Sequence, residues 1–443
     1  MKIKLSDHFN YRRLFRFVLP SVIMMIFTSV YGVVDGLFVS NYVGKTEFAA
    51  VNLIWPFVML LSAFGFMIGT GGSAVVAISL GQGKKKEANE IFSMLVKVTV
   101  IIGSILALLG IIFTEKIAIA LGATDNLLAP CVTYGRILLL SLVPFMLQNV
   151  FQSFLVTAER PNLGLIVTIA AGVTNMLLDF ILIGVLRGGV VGAACATAAS
   201  QLVGGCIPLI YFIRKNTSLL HIVPAKINFS ILGKTCFNGS SELMTNVSVS
   251  LVNMLFNLQL MKYAGENGVA AYGVIMYVNF VFISIFIGYS IGTAPIIGYN
   301  YGAGNGKELK NVFKKSIIFN VLAGISMYVL AYLLSGFLSG IFVGYDDALY
   351  ELTKNGFRIY SMAFLFIGLN IYGSSFFTAV GDGVLSAILS FLRTLLFQVA
   401  TLLLLPLIFG LNGIWMSIVV AELIAIVVTI GLLVAKRKKY ISF

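Results

Sequence analysis

The sequence predicts an all-α polytopic membrane protein, with twelve transmembrane helices in two parallel-repeat six-helix lobes around a central cavity. Three observations predict it. First, 59% of the 443 residues are hydrophobic and only 11% are charged, against about 25% charged in a soluble domain. So much apolar surface fits lipid as the solvent, and in lipid the backbone must satisfy its own hydrogen bonds, as helices do. Second, apolar windows of about 20 residues, each long enough to cross the hydrocarbon core, recur twelve times. Third, the second half of the chain repeats the first.

The apolar windows fall near residues 14–39, 50–80, 91–113, 128–157, 163–186, 190–213, 231–261, 269–298, 311–335, 355–380, 384–408 and 412–435. The first is too long for the roughly 7–15-residue apolar region of a secretory signal and is followed by no small-residue cleavage site, so it reads as a membrane helix. The net charge of +13 comes largely from basic clusters that lie on one side: Arg12, Arg13 and Arg16; Lys84 to Lys86; Arg160; Arg214, Lys215 and Lys226; Lys307 to Lys315; and Lys436 to Lys439. The opposite loops are poor in Lys and Arg, and one carries Asp346, Asp347 and Glu351. By the positive-inside rule both termini are expected in the cytoplasm. The same distribution makes the basic balance a topology signal and argues against a nucleic-acid partner.

One constant shift along the chain carries Tyr42-Val43-Gly44 onto Tyr263-Ala264-Gly265, Gly81-Gln82-Gly83 onto Gly302-Ala303-Gly304, Phe92 onto Phe313 and Gly192 onto Gly413. Six helices per repeat is an even number, so both halves enter the membrane from the same side and the repeats are parallel. The expected organisation is an N-terminal lobe over 1–213, a cytoplasmic linker over 214–230 and a C-terminal lobe over 231–443. Two lobes about a shared axis point to alternating access around a central site.

Polar side chains inside the spans are the candidate functional residues. A carboxylate at membrane depth costs about 2.5–3.5 kcal/mol or more and is kept mainly where it handles ions, protons or ligands. Asp35, Asp179, Glu242 and Glu422 are such acids. From the helical rise, Asp35 lies roughly 27 Å into span one and Asp179 roughly 24 Å into span five, one shared level in the outer half. Asn175 is one turn below Asp179, and Thr197 on span six reaches a similar level. Two carboxylates together and away from water cannot easily both ionise, so this group is expected either to hold a proton or to offer its oxygens to Na⁺ as a hard cation. A polar face over Glu242, Asn246, Ser250, Asn253 and Asn257, with Asn149 and Gln152 on span four, Tyr134 further out and Gln201 on span six, is expected to line a wet cavity. Arg393 and Glu422 read as a buried ion pair.

Enzymatic chemistry finds no support. The sequence has no Gly-x-x-x-x-Gly-Lys-Ser/Thr phosphate loop, no Ser/His/Asp or Cys/His nucleophile set, and four scattered cysteines without metal-ligand spacing. No cofactor is expected beyond H⁺ or Na⁺ as a coupling ion.

With the twelve spans, Gly-Gln-Gly and Gly-Ala-Gly after spans two and eight, Asn175-Met-Leu-Leu-Asp179, Gly192-Ala-Ala-Cys-Ala-Thr197 and Gly410-Leu-Asn-Gly-Ile-Trp415, the chain resembles the MATE (multidrug and toxic compound extrusion) transporters, most of all their DinF-like branch. The resemblance implies a multi-pass antiporter of the inner (cytoplasmic) membrane, working as a monomer, that exports cationic amphipathic organic compounds in exchange for H⁺ or Na⁺. It implies that Asp35, Asn175, Asp179 and Thr197 form the cation or proton site, that Pro20 bends helix one as that site changes state, and that Tyr134 and Gln152 line the same lobe's cavity. Glu242 resembles an acid of the NorM-like branch, whose partner acid in span ten is missing here. A flippase of a lipid-linked saccharide or other amphipathic anion in the same superfamily is the alternative.

Overall fold

The computed structural model describes residues 3–440. The outermost residues of the two expected lobes, 1–2 and 441–443, lie outside them. The described chain forms α1 (Tyr11–Tyr42), α2 (Lys45–Gly81), α3 (Lys85–Ala120), α4 (Asp125–Leu140), α5 (Leu142–Thr157), α6 (Pro161–Leu178) and α7 (Gly189–Ile213). After a non-helical stretch come α8 (Phe229–Gly302), α9 (Gly306–Val343), α10 (Asp347–Ser361), α11 (Phe364–Ala379), α12 (Gly383–Phe391), α13 (Phe397–Ala435) and the short α14 (Arg437–Tyr440). Short π-helical segments, Asp179–Val185 and Leu392–Leu396, follow α6 and α12.

Eight helical stretches are long and apolar enough to cross a membrane, and the bent pairs α4–α5 (55°) and α10–α11 (47°) bring the number to ten. Two of these stretches fold back on themselves. At Gly265 (φ 61°) α8 reverses, so that the Tyr272 hydroxyl donates to Asn253 at 2.7 Å and the two rings of Phe256 and Tyr272 stack. At Gly410 (φ 57°) α13 does the same, and Thr401 donates to the Ser417 carbonyl at 2.9 Å. The count is then the expected twelve. These left-handed turns suit glycine, which has no Cβ to clash. They also repeat the first half. Gly44 and Gly189 have positive φ as well, and the shift that relates the two halves carries them onto Gly265 and Gly410. It also carries the α4–α5 bend at Ser141 onto the α10–α11 bend at Met362.

Each lobe has its own apolar core. In the first, Phe92 packs against Phe151, Phe154 and Phe212; in the second, the fully buried Trp415 sits with Phe364 and Ile414. The lobes meet through α1 and α2 against α8, and the closest backbone approaches lie at the end carrying the basic loops. A Cβ on Gly71 would collide with the backbone of Thr235 and Gly239, and one on Gly239 with that of Met67. Val18 and Val22 of α1 also crowd Gly292 and Gly288, where a Cβ would meet them within 3 Å. Towards the other end, Gly32 and Gly36 of α1 and Gly273 of α8 face open space. The bundle is therefore closed at its basic end.

The segment before α1 ties that end together. Leu5 and Phe9 are fully buried. The Leu5 N–H donates to Glu159 of the first half at 2.8 Å, while the Phe9 N–H and His8 Nδ1 donate to Glu308 of the second at 2.9 and 2.7 Å. Lys315 and Asn311 donate to the Phe9 carbonyl at 2.6 and 3.0 Å. Nothing in the sequence pattern marked this strap, because its hydrophobics, Ile3, Leu5 and Phe9, are single residues in a polar stretch.

The far end of the chain is pinned as well. Asp382 caps α12 through the Leu385 N–H at 3.3 Å, and its other oxygen accepts from the Tyr440 hydroxyl and, at 3.4 Å, from Lys439. Burial alone would raise the Asp382 carboxyl, but the Tyr440, Leu385 and Lys439 donors outweigh it and hold the group below the ordinary carboxylate range. A depressed carboxylate stabilises the fold above its unfolded value of about 3.9, and the contribution is lost as pH falls through the lower folded value. Asp382→Asn is therefore expected to lower the melting temperature at pH 7, with the gap to the wild type closing in strong acid.

A second expectation concerns the lobe crossing. Gly239→Leu should prevent the basic end from closing. The readout is maleimide labelling of a cysteine placed at Thr235, which should be slow in the parent and fast in the leucine variant.

Candidate functional site

α1 runs uninterrupted through Pro20, whose missing N–H and ring weaken the ladder there, and carries Asp35 further along. α6 ends at Leu178, and Asp179 opens the π-helical segment; such π-bulges gather at functional sites. α7 supplies Thr197 and α4 supplies Tyr134. Packing of α1 and α7 on α6 brings these side chains to one place.

The Asp35 and Asp179 carboxyls lie within hydrogen-bonding reach of each other, and Asn175 faces Asp35. Asp179 is fully buried and Asn175 2% exposed. If both acids are ionised, neither can donate. Asp35 Oδ1, both Asp179 oxygens, Asn175 Oδ1 and Thr197 Oγ1 are then buried without a donor. A buried polar group left unmade costs about 1–3 kcal/mol, more if charged. One proton between the carboxyls relieves part of this, and the cluster of oxygens also suits one small hard cation. The Tyr134 hydroxyl lies beside Thr197 and close to both acids.

Tyr31 was not picked out by the sequence analysis, yet its hydroxyl lies near Asp35 and Gln148. The signal was available: Tyr31 is one turn before Asp35 on the same face of α1.

The other expected residues fall into two groups. Asn149, Gln152 and Gln201 are buried inside the first lobe. There Asn149 donates to the Ser62 carbonyl at 3.3 Å and Gln201 accepts from Ser141 at 2.6 Å. Glu242, Asn246 and Asn253 are half-buried on α8. Glu242 stands one turn beyond the Gly71–Gly239 crossing, and among the described residues no donor reaches its carboxylate. Asn246 donates to the Glu242 carbonyl at 2.8 Å, and Asn253 is held by Tyr272.

In the second lobe Arg393 Nε lies 2.9 Å from both oxygens of Glu422. Asn370 donates to the same carboxylate at 2.7 Å and accepts from Thr429 at 3.0 Å. This network sits where the repeat predicts it, since Asn370 and Glu422 are the counterparts of Asn149 and Gln201. The acid pair has no such counterpart. The same shift carries Asp35 onto Phe256 and Asp179 onto Ala400.

A family model named MatE matches residues 20–181 and 243–404, one stretch in each half. The chain belongs to the MatE family. Among curated relatives it is 27% identical to the multidrug export protein MepA of Staphylococcus saprophyticus, over 94% of this chain and 91% of that protein. It is 24% identical to MepA of Staphylococcus aureus, over 93% and 91%. Among solved structures it superposes with TM-score 0.90 on an outward-facing multidrug resistance MATE family transporter, at 23% identity and covering 96% of each chain. A MOP-superfamily transporter from Pyrococcus furiosus, described as having a binding pocket of reversed polarity, superposes at 0.87, with 23% identity over 95% and 94%. The shared architecture is thus that of a two-lobed transporter bundle.

Removing one partner of a buried ion pair leaves the other uncompensated, at a cost of about 3–5 kcal/mol. Glu422→Gln should therefore lose about that much stability in detergent unfolding titrations. The paired change Arg393→Met with Glu422→Leu should recover most of it.

Proposed function

We propose that this protein exports cationic amphipathic organic compounds across the cytoplasmic membrane by exchange for H⁺ or Na⁺, with Asp35 and Asp179 as the coupling pair. The observation that carries this reading is the contact between two carboxyls, with five buried oxygens left without a donor, inside one lobe of a bundle whose family relatives are named as multidrug export proteins. Asn175 and Thr197 complete the oxygen set, Tyr134 lies beside it, and Gln152 lies further towards the basic end of the same lobe, near Met24 and Thr168. In this reading the basic end faces the cytoplasm and so do both termini, by the positive-inside rule. The lobes, 1–213 and 231–443, rock about the 214–230 linker, and a single chain contains the whole path.

The mechanism follows from the charge balance. In the arrangement described, closed at the basic end, the cleft opens outward. A proton or Na⁺ arriving from outside neutralises the Asp35/Asp179 pair. That removes the negative charge attracting a cationic cargo and changes which lobe arrangement is favoured. Because coupling is reciprocal, the cargo and the coupling ion weaken each other's binding. Pro20 lies in the half of α1 that packs against α8, where the ladder is already weak and a bend costs least. Glu242, at the floor of the cleft beside Asn246, offers the cargo a second negative charge, and Asn253 lies further along the same face.

The test is uptake of ethidium into proteoliposomes under an imposed pH gradient and, separately, an imposed Na⁺ gradient. Wild type should accumulate ethidium under one of the two, and Asp35→Asn should lower that flux more than tenfold while melting as the wild type does. Undiminished flux in the variant would sink the coupling role. Absence of flux under both gradients, from folded protein, would favour the lipid-linked cargo of a flippase.

A further inference from the structure

We infer that the basic end of the first lobe holds a binding site for the phosphate headgroup of an anionic phospholipid. The site is a cavity of about 720 Å³ between the ends of α1, α6 and α7. It is independent of the Asp35/Asp179 pair and of whether the protein exchanges ions.

Three features of the cavity specify its ligand. Four cations line it: Arg16 from α1, Arg160 before α6, and Arg214 and Lys215 after α7. Among the described residues a single carboxylate, Glu159, shares the lining, and it already accepts from the Leu5 N–H. Arg160 is held by Thr217 through one terminal nitrogen, while its Nε is buried without a partner. A guanidinium fixed in this way offers donors suited to phosphate oxygens. α6 also starts at this cavity with Pro161 as its first residue, so the positive end of its dipole adds to the field.

The second feature separates a lipid from a free anion. One side of the cavity continues into an apolar wall that includes Ile166 on α6 and Ile210 on α7, which are 61% and 49% exposed. They lie one to two turns inward from the cations, where an acyl chain attached to the bound phosphate would run. Free phosphate would gain nothing from such a wall. Basic pockets between helices at the cytoplasmic side of a membrane recognise anionic headgroups on these grounds.

The third feature is position. An occupant would touch the basic-end termini of α1, α6 and α7, the three helices that carry Asp35, Asp179 and Thr197 further along. A bound headgroup would hold those three helix ends at a fixed separation.

The experiment is native mass spectrometry of the delipidated full chain in detergent, titrated with phosphatidylglycerol, with phosphatidylcholine, and with inorganic phosphate at millimolar concentration. One saturable phosphatidylglycerol adduct per chain is expected, with phosphatidylcholine weaker by at least about tenfold. Arg214→Gln with Lys215→Gln, both exposed, should weaken the adduct by about tenfold, as should Arg160→Gln alone. Lys85→Gln with Lys86→Gln removes the same charge at the same end but outside the cavity, and should leave the adduct unchanged. Equal loss in the two paired variants, or loss in neither, would reduce the cations to a topology signal and overturn the site. Displacement of phosphatidylglycerol by inorganic phosphate would make it a free-anion site and overturn the lipid assignment.

Discussion

Two carboxylates pressed together out of water cannot both keep their charge, and the rest of the molecule is arranged around that constraint. Asp35 and Asp179 come from helices far apart in sequence, and neither has a basic partner. Elsewhere in the same bundle a buried acid is treated differently: Glu422 is closed off by Arg393 and Asn370. The two lobes share one template, yet the first leaves its paired acids open while the second closes Glu422 off. A satisfied ion pair resists change, because breaking it strands a buried charge. An unsatisfied pair is open to a proton or a small cation, as the proposed coupling role requires.

For such a pair to do more than bind, its occupancy must alter how the lobes meet. The contact between lobes is built for discrete arrangements rather than for gradual opening. Gly71 and Gly239 allow backbone against backbone, and packing that tight is either made or lost. The N-terminal strap, clamped to Glu159 on one side and Glu308 on the other, ties both halves at the same end. An inward-opening movement must separate or carry these contacts, so part of the energetic difference between arrangements resides there and not at the acids.

The headgroup cavity lies on the lipid-facing side of that closed end. Its cations are the same residues that orient the chain in the membrane. Orientation needs only the number of charges near a helix end, whereas a headgroup site needs them to converge, and the folding of α7 and the chain after it against α6 makes them converge.

The amino-acid sequence by itself determined the solvent, the number of spans, the repeat and the approximate level of the buried acids. These are properties of local composition, of period and of the fixed rise of a helix, and they need no partner to be read. It also sufficed to place Asp35, Asn175, Asp179 and Thr197 at one level. What only the tertiary structure decided is who touches whom at a given level. Asn149 and Gln201 look from the sequence like cavity residues, but packing turns them inward to Ser62 and Ser141. Tyr31 shares the face of α1 that carries Asp35, as its i, i+4 spacing allows, but only the packing of α1 on the first lobe turns that face towards Asp179. The strap joins residues up to 306 apart across the two lobes, the headgroup cavity brings together three helix ends of the first lobe, and hydrophobic period encodes neither contact.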